Sequence, residues 1–108
     1  MLPLKRIKKF KDWLDSVDEP VVKAVIAAHV EKLAEGCGDV RPVGEGVSEL
    51  RIDYGPGWRV YFIEVHGELI LLLTGGTKKN QQKDIDEAKR IVRTMKERSK
   101  EIKKREAG

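Results

Sequence analysis

Residues 47–65 read VSELRIDYGPGWRVYFIEV, and this stretch decides the fold. Apolar and polar residues alternate from Val47 to Tyr54, and the segment from Trp58 to Val65 is rich in the β-branched and aromatic residues that favour strands. Gly55-Pro56-Gly57 lies between them and is typical of a tight three-residue connection. The stretch therefore predicts an antiparallel hairpin.

The rest of the chain adds one strand on each side of this hairpin and three helices. Residues 40–43 and 68–74 have strand character, and the two-residue turn His66-Gly67 favours a meander. Apolar residues repeat at helical spacing in residues 9–17, in residues 20–36 and from Ile85 to Ile102. We expect an α+β domain over residues 1–108, with two N-terminal helices, an antiparallel sheet of about four strands, and all helices on one face of it. The basic tail from about residue 96 is expected to fray.

The register of the hairpin predicts which side chains share a face. If Tyr54 opposes Trp58, then Asp53 opposes Arg59 and Arg51 opposes Tyr61, while Leu50, Ile52, Val60 and Phe62 point to the other face. A slip by one residue would bury the arginines. One face is therefore expected to be apolar and the other to carry Arg51, Asp53, Arg59 and Tyr61.

A second turn brings more cations to the same place. With Val65 opposite Glu68, Thr74 would oppose Arg59, so that the loop containing Lys78 and Lys79 leaves the sheet beside that arginine. The expected site is a cationic cluster of Arg51, Arg59, Lys78 and Lys79, bordered by Tyr61 and Gln81. Its size suits a phosphodiester.

Such a cluster fits RNA cleavage through the 2′-hydroxyl, which requires a base, an acid and cations at the phosphate but no metal or cofactor. Arginine binds two phosphate oxygens at once, and a lysine among other cations can act as the base. Neither histidine is expected to be catalytic, because His66 lies at the far turn and His29 on a helix. The alternative is that these charges form solvated ion pairs on an exposed sheet face.

Composition limits the class of protein without choosing the function. The chain has 108 residues, a net charge of +4 and one cysteine, Cys37, so it has no internal disulfide. The charge favours anionic partners in general. The longest apolar run, Leu69 to Leu73, is too short to cross a bilayer, so we expect a cytoplasmic protein with no membrane partner.

The sequence also resembles a known group of proteins. The motif of residues 49–62, ELRIDYGPGWRVYF, is similar to the RelE/HigB superfamily of toxins, specifically the phage-derived addiction module killer proteins. The resemblance covers about residues 10 to 95 and includes Trp13-Leu14, Gly75-Gly76 and Asp84-Ile85. Trp58 replaces a usual tyrosine, Thr77 a usual aspartate and Asn80 a common threonine, and the C-terminal tyrosine or histidine that some members use is absent.

The resemblance implies a RelE-like fold and a toxin that cuts mRNA in the ribosomal A site. By position, Arg51, Arg59 and Lys78 match the residues that contact the scissile phosphate. The implied partners are the ribosome with its mRNA, a cognate helix-turn-helix antitoxin, and operator DNA through the antitoxin complex. Two alternatives stay open: a poison of a protein target such as gyrase, as in the related ParE toxins, and a degenerate toxin that only binds antitoxin and operator.

Overall fold

The structure, a computed structural model, describes residues 1–107 and has three helices and a five-stranded sheet in that range. In chain order the elements are β1 (Leu4–Arg6), α1 (Lys8–Asp15), α2 (Pro20–Ala34), β2 (Asp39–Gly44), β3 (Val47–Ile52), β4 (Trp58–Val65), β5 (Leu69–Thr77), a 3-10 turn (Lys78–Asn80) and α3 (Gln81–Ala107). The α+β class, the two N-terminal helices and the C-terminal helix are confirmed. In the structure α3 continues through the basic segment to Ala107, and fraying of this tail stays a prediction.

The sheet has the strand order β1-β5-β4-β3-β2. Strands β2 to β5 form the expected antiparallel meander. The strand missing from the sequence prediction is β1, which pairs with β5 in parallel and places Leu4 opposite Ile70. A three-residue strand is too short to show an alternating pattern.

Helices cover both faces of the sheet, which corrects the expectation that they pack on one. Residues of α1 and α2 join one core with Leu50, Val60 and Leu72. Residues of α3 join a second core with Tyr61 and Leu73 on the opposite face. Burial on both sides explains why Leu71, Leu72 and Leu73 are all buried in succession, a run typical of a strand covered twice.

The hairpin register differs from the predicted one by two residues. Leu50 opposes Val60, and Arg51 opposes Arg59 directly. The prediction failed because β3 ends at Ile52, so that Asp53 and Tyr54 belong to a five-residue turn closed by a 3.1 Å bond from the amide of Gly57 to the carbonyl of Tyr54. A shift of two residues keeps every side chain of the strands on its expected face, so both arginines still share one.

The register of the β4–β5 hairpin also differs from the predicted one. Val65 pairs with Leu69, and a bulge beside Tyr61 and Phe62 shifts the pairing further along. As a result Thr74 opposes Tyr61 and not Arg59, whose partner is Gly76. The chain still turns beside Arg59 after β5, because the amide of Lys78 donates a 2.8 Å bond to the carbonyl of Gly57.

Candidate functional site

Two arginines lie side by side on the α3-facing side of the sheet. Arg51 and Arg59 are direct cross-strand partners on β3 and β4. The Arg51 side chain is 39% exposed, whereas that of Arg59 is only 10% exposed. Like charges directly opposite each other destabilise a sheet. The pair therefore needs an anion close by.

Glu49 supplies that anion from within the same strand. Its side chain is completely buried, and its Oε1 accepts a 2.8 Å hydrogen bond from Arg51 Nε. Arg59 Nε lies 3.9 Å from the same oxygen, an ion-pair distance without a hydrogen bond. Gln81, the first residue of α3, donates from Nε2 to Oε1 at 3.0 Å and to Oε2 at 2.8 Å. The carboxylate thus ties both arginines to the start of α3.

The protonation of Glu49 follows from these contacts. Burial alone would raise the pKa of this carboxyl group, but the hydrogen bonds from Arg51 and Gln81 outweigh burial and hold the pKa below its ordinary value. Glu49 is therefore a carboxylate at neutral pH. A buried charge of this kind is tolerated only because it is paired and hydrogen-bonded.

The sequence predicted that Tyr61 borders the site, but the structure does not place it there. It is fully buried in the core beneath α3, and within residues 1–107 its hydroxyl has no hydrogen-bond partner of ordinary geometry. Burial, with the negative charge of Glu49, raises the pKa of this phenol far above its ordinary value. The residue is a structural support and is out of reach of a substrate.

Arg59 retains hydrogen-bonding capacity although it is nearly buried. Its Nη1 donates a 3.0 Å bond to the carbonyl of Trp58. Its Nε is buried and has no hydrogen-bond partner among the residues that the structure describes. A buried polar group without a partner is unusual and points to strain, function or an external partner.

An open cleft of about 700 Å³ lies beside the two arginines. Ten residues line it: His29, Gly38, Asp39, Arg51, Asp53, Gly55, Pro56, Gly57, Arg59 and Lys78. Of the predicted site residues it thus brings together Arg51, Asp53, Arg59 and Lys78. Lys79 is exposed and does not line the cleft. Gln81 does not line it either, but its side chain donates a hydrogen bond to Glu49.

Gly57 allows the turn, Lys78 and Arg59 to come together. Its φ of +84° is in the left-handed region that favours glycine. A Cβ at this position would lie 3.3 Å from Cβ of Lys78 and 3.5 Å from Nη1 of Arg59. The residue therefore sets how closely the two cations approach.

His29 was not expected near the site, yet it lines the cleft from α2. Its Nδ1 lies 2.8 Å from the carbonyl oxygen of Val25, one helical turn earlier. The sequence places His29 on a helix but gives no sign that this helix reaches the end of the sheet where the cations gather. His66 lies at the far turn, as predicted, with a φ of +52°.

A second and larger cavity, of about 820 Å³, lies between α1 and α3. Trp13, Thr74 and Asp84 are among its lining residues, and it contains none of the predicted site residues. Its cations are partly neutralised, because Lys8 bonds Asp12 and Arg90 bonds Glu87. The arginine cleft is the better candidate, because it brings together Arg51, Arg59 and Lys78.

Two further observations concern residues 1–107. None of the helices in this range combines the length and apolar character required to cross a membrane. The same residues contain no cluster of three histidine, cysteine or acidic side chains arranged for a metal ion.

The fold and the cleft define an α+β protein with a cationic surface site, and sequence comparisons place it in a family. A model of the phage-derived Gp49-like proteins (DUF891) matches residues 9–96. The chain belongs to this family. It is also 39% identical over 95 residues to a Haemophilus influenzae protein described as uncharacterized, an alignment that covers 87% of this chain and 96% of that protein.

Proposed function

We propose that the chain is the toxin of a toxin–antitoxin pair and cuts mRNA on the ribosome. The observation that carries the proposal is that three cationic donors, Arg51, Arg59 and Lys78, line one open cleft. Phosphate oxygens are strong acceptors for such donors. The phage-derived family and the resemblance of residues 49–62 to RelE/HigB toxins favour the same reading.

The proposed reaction uses the 2′-hydroxyl of the RNA as the nucleophile. Attack of this oxygen on the adjacent phosphorus breaks the bond to the 5′-oxygen of the next nucleotide and leaves a 2′,3′-cyclic phosphate. Arg51, Arg59 and Lys78 would stabilise the negative charge that builds up on the phosphate oxygens during attack. None of these roles requires a cofactor.

The shallow cleft suits a substrate that is held by another partner. The cleft has room for a few nucleotides, so recognition of a longer RNA would come from the ribosome, where the decoding site orients the mRNA. We therefore expect free RNA to be a poor substrate and the activity to be cytoplasmic. The proposed partners are the ribosomal A site with its mRNA, a helix-turn-helix antitoxin, and operator DNA through the antitoxin complex.

The test is cleavage of mRNA in purified ribosome complexes, mapped by primer extension. Wild-type protein should give cuts in phase with the codons, and Arg59→Ala should reduce their rate about 10²–10³-fold, the usual loss when one charge-stabilising donor is removed. Arg93→Ala is the matched control, because Arg93 is an exposed α3 residue paired with Glu45, and neither of them lines the cleft. It should cut at the wild-type rate.

Other outcomes would point elsewhere. Growth arrest on expression without mRNA cuts would favour a poison of a protein target such as gyrase. Neither arrest nor cuts would favour a degenerate toxin that only binds its antitoxin. An Arg59→Ala protein that cuts as fast as the Arg93→Ala control would remove Arg59 from the proposed site.

A further inference from the structure

The proposed reaction needs a group that accepts the proton of the 2′-hydroxyl, and most side chains of the site are poorly suited. Arginine stays protonated at neutral pH, and Lys78 already has the proposed role of stabilising the charge on the phosphate. Glu49 is fully buried and both of its oxygens already accept hydrogen bonds. The Asp39 carboxylate accepts a 3.1 Å hydrogen bond from Arg41. Among the residues lining the cleft, Asp53 and His29 remain.

The hydrogen bond of His29 leaves the opposite ring nitrogen as a proton acceptor. A carbonyl oxygen can only accept, so the 2.8 Å contact with Val25 places the hydrogen on Nδ1. The neutral ring then carries its lone pair on Nε2. The same bond fixes the orientation of the ring on α2, and His29 is one of the residues that line the cleft. Such a fixed tautomer is the arrangement that a histidine base requires.

We propose that His29 is the general base of this site and accepts the proton of the 2′-hydroxyl on Nε2. The inference rests on the proposed ribonuclease function. In the step, the 2′-oxygen gives its proton to His29 and forms the new bond to phosphorus. The bond from phosphorus to the 5′-oxygen breaks, and that oxygen takes a proton from water. His29 then returns its proton to solvent.

Five other charged residues line the cleft with His29. Asp39 on β2 and Asp53 in the turn are acidic, whereas Arg51 on β3, Arg59 on β4 and Lys78 in the 3-10 turn are basic. Among these types of side chain only histidine ordinarily changes charge between pH 5 and pH 8. A general base acts only in its unprotonated form, so the cleavage rate should rise with pH.

The experiment measures single-turnover cleavage of mRNA in saturated ribosome complexes from about pH 5.5 to pH 8.5. His29→Gln should cut about 10²–10⁴-fold more slowly than wild type, the usual contribution of a general base, and should lose the rising pH limb. His29→Arg should not restore the rate, because arginine supplies a cation but accepts no proton. His66→Asn is the matched control, since it removes the other histidine of the chain at an exposed turn.

Each remaining result is decisive. If His29→Arg cuts at the wild-type rate, residue 29 serves as a cation that binds the phosphate, and the inference is overturned. If Asp53→Asn loses the rise of the cleavage rate with pH and His29→Gln keeps it, the general base is Asp53. If wild-type protein makes no cuts, the proposed function fails and the inference fails with it. If wild type and His29→Gln cut at equal rates, the inference about His29 fails but the proposed function stands. Thermal unfolding of each variant separates misfolding from lost chemistry.

Discussion

Arg51 Nε donates a 2.8 Å hydrogen bond to Glu49 Oε1, two residues earlier on the same strand. Side chains at this spacing lie on the same face of a strand. The bond holds the Arg51 guanidinium along β3 and leaves it partly exposed at the cleft. Because Gln81 donates to the same carboxylate, the position of Arg51 also depends on how α3 begins.

Replacing Glu49 by glutamine should destabilise the protein. Glutamine keeps the size of the side chain but removes the charge that offsets Arg51 and Arg59 and turns one acceptor into a donor facing Gln81. We expect a loss of about 1–3 kcal/mol in the free energy of unfolding, the usual cost of losing a buried hydrogen bond to a charged group. Urea unfolding at pH 7 measures it.

The control for this variant is Glu45→Gln. Glu45 also pairs with an arginine, Arg93 at 2.7 Å, but both side chains are well exposed. Exposed pairs contribute little. Equal losses in Glu45→Gln and Glu49→Gln would show that the buried carboxylate has no special role.

The contribution of Glu49 should also disappear in acid. Its pKa is lower in the folded protein than the ordinary value of 4.5, so the folded state favours the carboxylate. The stabilisation is therefore present above about pH 4.5 and is lost as the pH falls through the lower folded value. Wild type and Glu49→Gln should differ clearly in urea unfolding at pH 7, and the difference should shrink as the pH is lowered below 4.5. A difference that stays constant with pH would contradict this assignment.

The sequence predicted the fold well because its main signals are local. Alternation in β3 assigned Leu50 and Arg51 to opposite faces, and this assignment survived a register error of two residues. The error arose because a turn residue such as Asp53 and a strand residue look alike in an alternating stretch. The second covered face was missed, although the buried run of Leu71 to Leu73 carried its signature.

The site was predicted only in part, because its geometry depends on contacts between distant segments. Arg51, Arg59 and Lys78 follow from strand pairing and do line one cleft. The buried Glu49 is hydrogen-bonded by Gln81, which lies 32 residues away along the chain. The approach of His29 depends on how α2 packs against the end of the sheet. Neither contact leaves a periodic pattern in the sequence.

Tyr61→Phe should make the protein more resistant to alkaline unfolding. The pKa of the buried phenol is raised far above 10.0 in the folded protein, so the unfolded chain loses this proton first. Stability is therefore lost as the pH rises above about 10, and phenylalanine removes that loss. At pH 8 the change should be neutral or stabilising, because the hydroxyl makes no hydrogen bond of ordinary geometry within residues 1–107.

Denaturant unfolding at about pH 8 and pH 10.5 measures the effect of Tyr61→Phe. The control is Tyr54→Phe, which changes the exposed tyrosine of the turn between β3 and β4. Its curve should follow that of wild type at both pH values. If Tyr61→Phe and wild type lose the same stability between pH 8 and pH 10.5, the phenol proton does not contribute to the pH dependence of stability.

Gly75→Ala should destabilise the packing of α1 against β5. A Cβ on Gly75 would overlap the Cη2 and Cζ3 atoms of Trp13, and the rigid indole is wedged between Phe10 and Trp58, with ring centroids 5.8 and 6.3 Å away. Overpacking of this kind costs about 1–3 kcal/mol. In a Trp13→Phe background the overlapping atoms are gone, so the same glycine substitution should cost much less. A double-mutant cycle from urea unfolding measures the coupling, and additive losses would contradict the proposed overlap.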